Sequence, residues 1–399
     1  MAVSGQLEQR WTEEGLQARL VEVRRHLHRH PEVAYEEVET TKAIRDWLGE
    51  AGIRIADYPL RTGVVAEIGC RGDGPVVALR ADIDALPIQE ETGLPFASEI
   101  PGKMHACGHD FHTAVIFGAA LMLREREQEM PGTVRLIFQP AEEKGKGAGQ
   151  VIASGALDGV QAIFGLHNKP DLPVGTVGIR AGALMASVDG FRIEVTGVGS
   201  HAAVPNAGID PIVVSAHIVT ALQTIVSRNV SPLDSAVVSV TKLQAGTTWN
   251  VIPDHAVLEG TVRTFNNAIR DDLPGRIRRL IEGVAGAMGA TARMDWYAGP
   301  PSVRNDEQLT TLTKRAAAAL GWNVATPDPS PAGEDFAHYQ QLVPGSFVFV
   351  GTSGPHEWHH PAFDLDERAL GPAASLFANL AETALRSWNE GGDSHSDDV

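Results

Sequence analysis

Residues 104–114 read MHACGHDFHTA and hold Cys107 with three histidines around it, His105, His109 and His112. Cys107 is one of only two cysteines in 399 residues, the other being Cys70. Two cysteines do not make a disulfide framework, so a thiol set among imidazoles asks for another reason. Thiolate, imidazole and carboxylate together suit Zn, Mn, Co or Ni. In Cys107-Gly108-His109 the glycine permits a turn tight enough for both side chains to face one centre. Elsewhere polar residues follow apolar runs: Asp82 and Asp84 after VVALR, Glu142 and Glu143 after VRLIF, His167 in AIFGLHN, and His356, His359 and His360 soon after SFVFVG. Each piece alone has a plainer reading, since a buried Cys is usually a small hydrophobe, a Glu pair solvated surface and a single His part of a core. Four strand ends loaded in this way point to one site. Cys107 and His109 would join Glu143, His167 and one late histidine. That is more than one tetrahedral zinc needs and fits two ions about 3.5–4 Å apart.

The elements that must position these residues follow from periodicity. LEQRWTEEGLQARLVEVRRHLHRHPE reads as a helix ending before Pro31, and YEEVETTKAIRDWLGEAG as a second, closed by Gly52. Histidines in RRHLHRHPE are expected on the helix surface or in support of the site rather than as ligands. The runs GVVAEIG, PVVALRADID, TVRLIFQPAEE, AIFGLHN and SFVFVG are mostly β-branched and separated by helical segments, the pattern of an α/β fold with a mostly parallel sheet. The middle differs. DGFRIEVTG, IDPIVVSAHIVTALQTIVSRN, SAVVSVTKLQAG, HAVLEGTVRTF, DDLPGRIRRLIEGVAGAMG and TARMDWYAG give the order β-α-β-β-α-β, a small ferredoxin-like α+β sandwich. It is expected at residues 187–297, inserted into a discontinuous domain of residues 1–186 and 298–399. The tail NEGGDSHSDDV is expected to be disordered.

A net charge of −17 disfavours nucleic acid and anionic membranes as partners, although a local Arg can still hold a small anion. The first twenty residues show no signal peptide, and no apolar run approaches the ~20 residues of a membrane span; a cytoplasmic protein is expected.

The motifs RADIDALPI, MHACGHDFHTA, FQPAEE, VQAIFGLHN, VGSHAAVPNAGIDPI, NVIPDHAVLEGTVRTF, GEDFAHY and HHPAFDLDE resemble those of the dinuclear metallo-amidohydrolases, which include hippurate hydrolase, bacterial N-acyl-amino-acid deacylases and plant auxin-conjugate hydrolases, relatives of aminoacylase and carboxypeptidase G. The likeness spans about residues 15–385. It implies a metallopeptidase-like catalytic domain with Cys107, His109, Glu143, His167 and His359 as ligands of two divalent ions and Glu142 as general acid/base. It also implies a lid or dimerisation domain whose His201 polarises the scissile carbonyl, in its own or a partner subunit's site, with Asn250 and Arg263 on the substrate. The expected substrate is a small N-acyl amino acid, and the expected assembly a homodimer or higher homo-oligomer. Two departures stand out. Lys144 and Lys146 follow the glutamate pair where many relatives carry glycines, and read as solvated. Asp82-Ile83-Asp84 replaces an early His-x-Asp motif, which leaves Asp84 as a supporting carboxylate.

Three other readings compete. A dipeptidase or carboxypeptidase would use the same dinuclear chemistry. A cysteine hydrolase with Cys107 as nucleophile leaves Glu142, Glu143 and His167 unexplained. A non-catalytic binding module leaves the complete ligand set unexplained. Phe111, Trp249 and Trp358 read equally well as pocket or core.

Overall fold

The computed structural model describes residues 12–69 and 74–392; Cys70, the start of the expected first helix and the end of the polar tail lie outside them. The chain divides into two compact units, Met1–Gly182 with Arg304–Asp328 and His338–Val399, and Ala183–Val303 with Pro329–Ala337.

The first unit is built on a mixed, mostly parallel eight-stranded sheet. Across it the strands run Arg54–Ala56, Val64–Gly69, Thr133–Gln139, Val76–Asp82, Val160–Lys169, Gly345–Gly351, Thr176–Gly178 and Asn323–Ala325. The central four pair in parallel. Val64–Gly69 is antiparallel to both its neighbours, and Thr176–Gly178 to Gly345–Gly351. GVVAEIG thus departs from the parallel expectation, in a mixed sheet whose outermost strand on that side is Arg54–Ala56. The central strands are buried along nearly their whole length, which is why they read as largely apolar runs.

Helices Glu13–Arg29, His109–Glu125 and Leu370–Gly392 belong to this unit. The first begins where the Thr12 side chain accepts the Gly15 N–H at 3.1 Å, a standard N-cap. It buries Leu16, Leu20, Val23 and Leu27 at helical spacing. His109–Glu125 is buried along nearly its whole length. Gly118 makes this possible, because a Cβ there would fall 2.7 Å from atoms of both Leu20 and Ala374. The last helix continues through residue 392, so the first four residues of the expected disordered tail are helical.

The second unit has a four-stranded antiparallel sheet in the order Ala236–Ala245, His255–Thr264, Asp189–Thr196, Thr291–Ala298. Helices Pro211–Asn229 and Asn267–Ala287 pack on it. Pro211 opens the first helix and the Asp210 side chain caps it. By length and composition this helix could cross a bilayer, contrary to expectation. Its Val214, Ile218, Leu222 and Ile225 are instead part of the unit's core. The second helix starts at Asn267, capped by Asn266, before the expected Asp271. Pro274 therefore lies inside it, where tertiary packing outweighs a lost helical hydrogen bond.

Candidate metal centre

Parallel register aligns the strand ends that carry the chemistry. Asp82 pairs with Gln139, three residues before Glu142, and His167 pairs with Phe349. The carboxyl edge of such a sheet is where α/β proteins bind ligands. Cys107 and His109 reach it from the loop before helix His109–Glu125, turned by Gly108 at φ 82°. His359 reaches it from the loop after Gly345–Gly351. His359 itself has φ 66°, uncommon for a non-glycine residue, and its N–H is fixed on the Ala106 carbonyl at 2.8 Å.

Six predicted residues converge. Cys107 Sγ lies 3.4 Å from His167 Nε2, and Glu143 Oε1 lies 3.4 Å from His359 Nε2 and 4.0 Å from His109 Nε2. Donor atoms of Cys107, His109 and His167 lie within 4.8 Å of one another, as do those of Cys107, Glu143 and His359, and those of His109, Glu142 and Glu143. His109 Nδ1 donates to the Asp84 carbonyl at 2.8 Å, and His167 Nδ1 to the Asn168 carbonyl at 2.8 Å. Both rings thus turn Nε2 inward, the arrangement that metal-binding histidines use. His109 Nε2 and Glu143 Oε1 are buried with no hydrogen bond, a cost of about 1–3 kcal/mol each if nothing binds there.

The electrostatics also fit a cation. Burial, and then the charges of Glu143, Glu142 and Asp82, push the Cys107 thiol well above its ordinary value, and a metal would reverse this by holding the thiolate. Burial opposes charge on His109, but Asp82 and Asp84 outweigh it and raise the ring to about 10. Burial pushes His167 well below its usual value, leaving a neutral imidazole suited to ligation. Four carboxylates, Asp82, Asp84, Glu142 and Glu143, stand within or beside this cluster. The donor set therefore fits divalent ions.

Asp84 is the support that the sequence left open. Its two oxygens accept the N–H groups of Glu142 at 3.0 Å and Glu143 at 3.1 Å, aiming the doublet. Ala141 before them is left-handed at φ 55°, a strained position held by Glu37 Oε1 on its N–H at 2.8 Å. His112 donates to Asp82 at 2.6 Å. His28, in the histidine-rich helix, donates to Asp110 at 2.8 Å, one residue from His109. His356 and His360 stack at 4.1 Å between ring centres, away from the ligand role expected of His359. Lys144 and Lys146 are exposed. Phe111 is core, Trp249 is 92% exposed, and Trp358 packs on the His167 ring at 4.4 Å.

The model of peptidase family M20/M25/M40 matches residues 78–383. The chain belongs to this family. Among its relatives, an N-acetylcysteine deacetylase of Bacillus subtilis is 57% identical over 92% of this chain and 97% of its own length. An IAA-amino acid hydrolase of Arabidopsis thaliana is 42% identical, covering 92% and 86%. A crystal structure from Bacillus subtilis described as a dinuclear metal-binding M20 peptidase is 53% identical over 94% of this chain and 99% of its own, with a TM-score of 0.86. This M20 chain is accordingly a hydrolase with the M20 peptidase fold.

The remaining predicted residues of the M20 chain lie in the second unit, which separates them into two places. His201 pairs with Val251 in a short two-stranded ribbon, and the neighbouring Asn250 carbonyl accepts the Ala202 N–H at 3.1 Å. His201 Nδ1 accepts from Ala203 N–H at 3.0 Å. Arg263 sits near the other end of strand His255–Thr264, half-buried and bonded to the Val262 carbonyl at 3.0 Å. One strand length, roughly 26 Å at about 3.3 Å per residue, separates it from the end near the ribbon. Residues that sequence reasoning missed, above all Glu37 and Asn168, act by hydrogen bonds to backbone that no residue pattern announces.

Proposed function

We propose that this M20 hydrolase cleaves the amide bond of N-acyl amino acids, N-acetyl, N-benzoyl or similar, to a carboxylic acid and a free amino acid. Cys107, His109, Glu143, His167 and His359 hold two divalent ions drawn from Mn, Zn, Co or Ni, and Glu142 is the general acid/base. The observation that carries this reading is the convergence of those six side chains, with His109 Nε2 and Glu143 Oε1 buried and without a hydrogen bond. Relatives named for acyl-cysteine and IAA-amino acid hydrolysis support acyl amino acids over peptides as substrate.

The two ions would supply an activated water and polarise the scissile carbonyl. Glu142 takes the proton from the attacking water and delivers it to the leaving nitrogen. It needs to stand outside the ligand set while Glu143 stands inside, and the Asp84 clamp on both N–H groups supports that division. His201 polarises the carbonyl, and Asn250 and Arg263 bind the acyl or carboxylate end. The span 187–297 serves as a ferredoxin-like lid and dimerisation domain; the strand order 4-1-3-2 of its sheet, numbered along the span, supports this. A homodimer that supplies His201 to its partner's site accommodates the separation of His201 from Arg263.

The 3.4 Å approach of Cys107 to His167 favours a second reading, a cysteine nucleophile. The electrostatics oppose it. The thiol is pushed up and the imidazole down, so proton transfer from Cys107 to His167 is disfavoured without a cation. Metal content per chain, measured with hydrolysis of N-acetyl and N-benzoyl amino acids and of dipeptides before and after chelation, tests the proposal. About two ions per chain, activity lost on chelation and restored by Mn, Zn, Co or Ni, and preference for acyl amino acids are expected. Metal-free protein with chelator-insensitive turnover would overturn it.

A further inference from the structure

Asn168 follows His167 at the end of strand Val160–Lys169 and is fully buried. Its backbone N–H donates to His112 Nε2 at 2.9 Å. His112 is thereby fixed as the tautomer that donates its Nδ1–H to Asp82, which in turn holds Arg80 at 2.8 Å. The Asn168 carbonyl accepts His167 Nδ1–H at 2.8 Å and Trp358 Nε1–H at 3.1 Å. Its side chain works in both directions. Nδ2 donates to the Cys107 carbonyl at 2.5 Å and also lies 3.1 Å from His112 Nε2, while Oδ1 stands 3.3 Å from Trp358 Nε1.

One residue thus ties three ligand-bearing segments that are distant in sequence: the Cys107-Gly108-His109 turn, the His167 strand end and the loop in which Trp358 precedes His359. The turn is packed around the amide. A Cβ on Gly108 would fall 2.3 Å from Asn168 Nδ2, and Gly108 is left-handed at φ 82°. The chemistry asks for a neutral amide here. Aspartate offers no donor and would set a charge against the Cys107 carbonyl; leucine has similar bulk and neither function.

We propose that Asn168 is a positioning residue that keeps Cys107, His167 and His359 aimed at shared ions, an inference that rests on reading those three as ligands. Hydrogen-bond partners of metal ligands typically change affinity by 10–100-fold when removed. Its geometry predicts loss of ligation at Cys107 first, because that segment depends on the side chain, whereas His167 is held by the backbone carbonyl.

The test uses the full chain, stripped with chelator and titrated with Co²⁺ alone. The near-ultraviolet thiolate-to-cobalt charge-transfer band reports Cys107, and the melting temperature of the stripped protein is measured alongside. Asn168→Asp and Asn168→Leu should bind Co²⁺ 10–100-fold more weakly, with a weaker charge-transfer band per bound ion. Affinity and band within twofold of wild type would overturn the proposal, and a melting temperature lowered on that background would assign Asn168 a purely structural part. Asn168→Asp, which is isosteric, carries the test if the leucine variant does not fold. Cys107→Ala is the control for the underlying reading. If wild type lacks the band and Cys107→Ala binds Co²⁺ as tightly, the ligand assignment itself fails; if that control behaves as a ligand loss while the Asn168 variants do not, only the positioning role fails.

Discussion

In the proposed mechanism the glutamate doublet divides its labour by one residue of chain. Glu142→Ala should lower turnover roughly 10²–10⁴-fold, the usual contribution of a general base, with metal content unchanged. Glu143→Ala should lose metal before anything else, since it removes the carboxylate set between His109 and His359. Metal analysis and rates on the same preparations check both, and near-full activity of a metal-replete Glu142→Ala protein would refute the assignment. Lys144 and Lys146 are exposed, so replacing both by alanine should leave kcat/KM within about twofold across neutral and acidic substrates. Ligand-type residues were legible here because Cys, His and Glu at strand ends have few other uses in combination. Of the residues that aim them, Asp84 was legible only as a supporting carboxylate, and Glu37 and Asn168 were not. Asp84, Glu37 and Asn168 do their work on backbone N–H and carbonyl groups, and an acid or amide beside a strand gives no sign of which peptide it will meet.

Among the elements, helix Glu13–Arg29 was readable from its periodicity, but the depth at which its histidines sit was not. Arg24 and His28 are fully buried and meet at Asp110, with Arg24 Nε at 3.1 Å and His28 Nδ1 at 2.8 Å. Burial opposes charge on His28; hydrogen bonds to Asp110 and Glu90 outweigh it and raise the ring to about 9. A folded value above the unfolded ~6.5 makes the protonated ring stabilising below that pH, and the contribution is lost as pH rises through about 9. The stability gap between wild type and His28→Gln should therefore be largest near pH 6 and shrink by on the order of a few kcal/mol by pH 10, read from urea unfolding of both proteins at each pH. A gap independent of pH would show His28 neutral in the fold. The sequence placed this helix and missed its buried pair because an ion pair across 86 residues is set by packing alone.

For the whole molecule, the proposed sharing of His201 between subunits predicts complementation. Inactive His201→Ala and inactive Glu142→Ala chains, mixed and reassociated, should regain up to about a quarter of wild-type activity, as expected for one intact site in each of the half of the dimers that are mixed. Activity that stays at the level of the separate variants would place His201 on its own chain's site. The sequence by itself determined the mostly parallel α/β class, the two kinds of sheet and the donor types at the strand ends, because hydrophobic period and strand-end chemistry are local properties of the chain. Only the tertiary structure decided the antiparallel run of Val64–Gly69, the helix start at Asn267, the pairing of donors into groups within 4.8 Å and the Asp84 and Asn168 clamps. Those depend on which strands become neighbours and in what register, and distances between residues far apart in sequence exist only once that register is set.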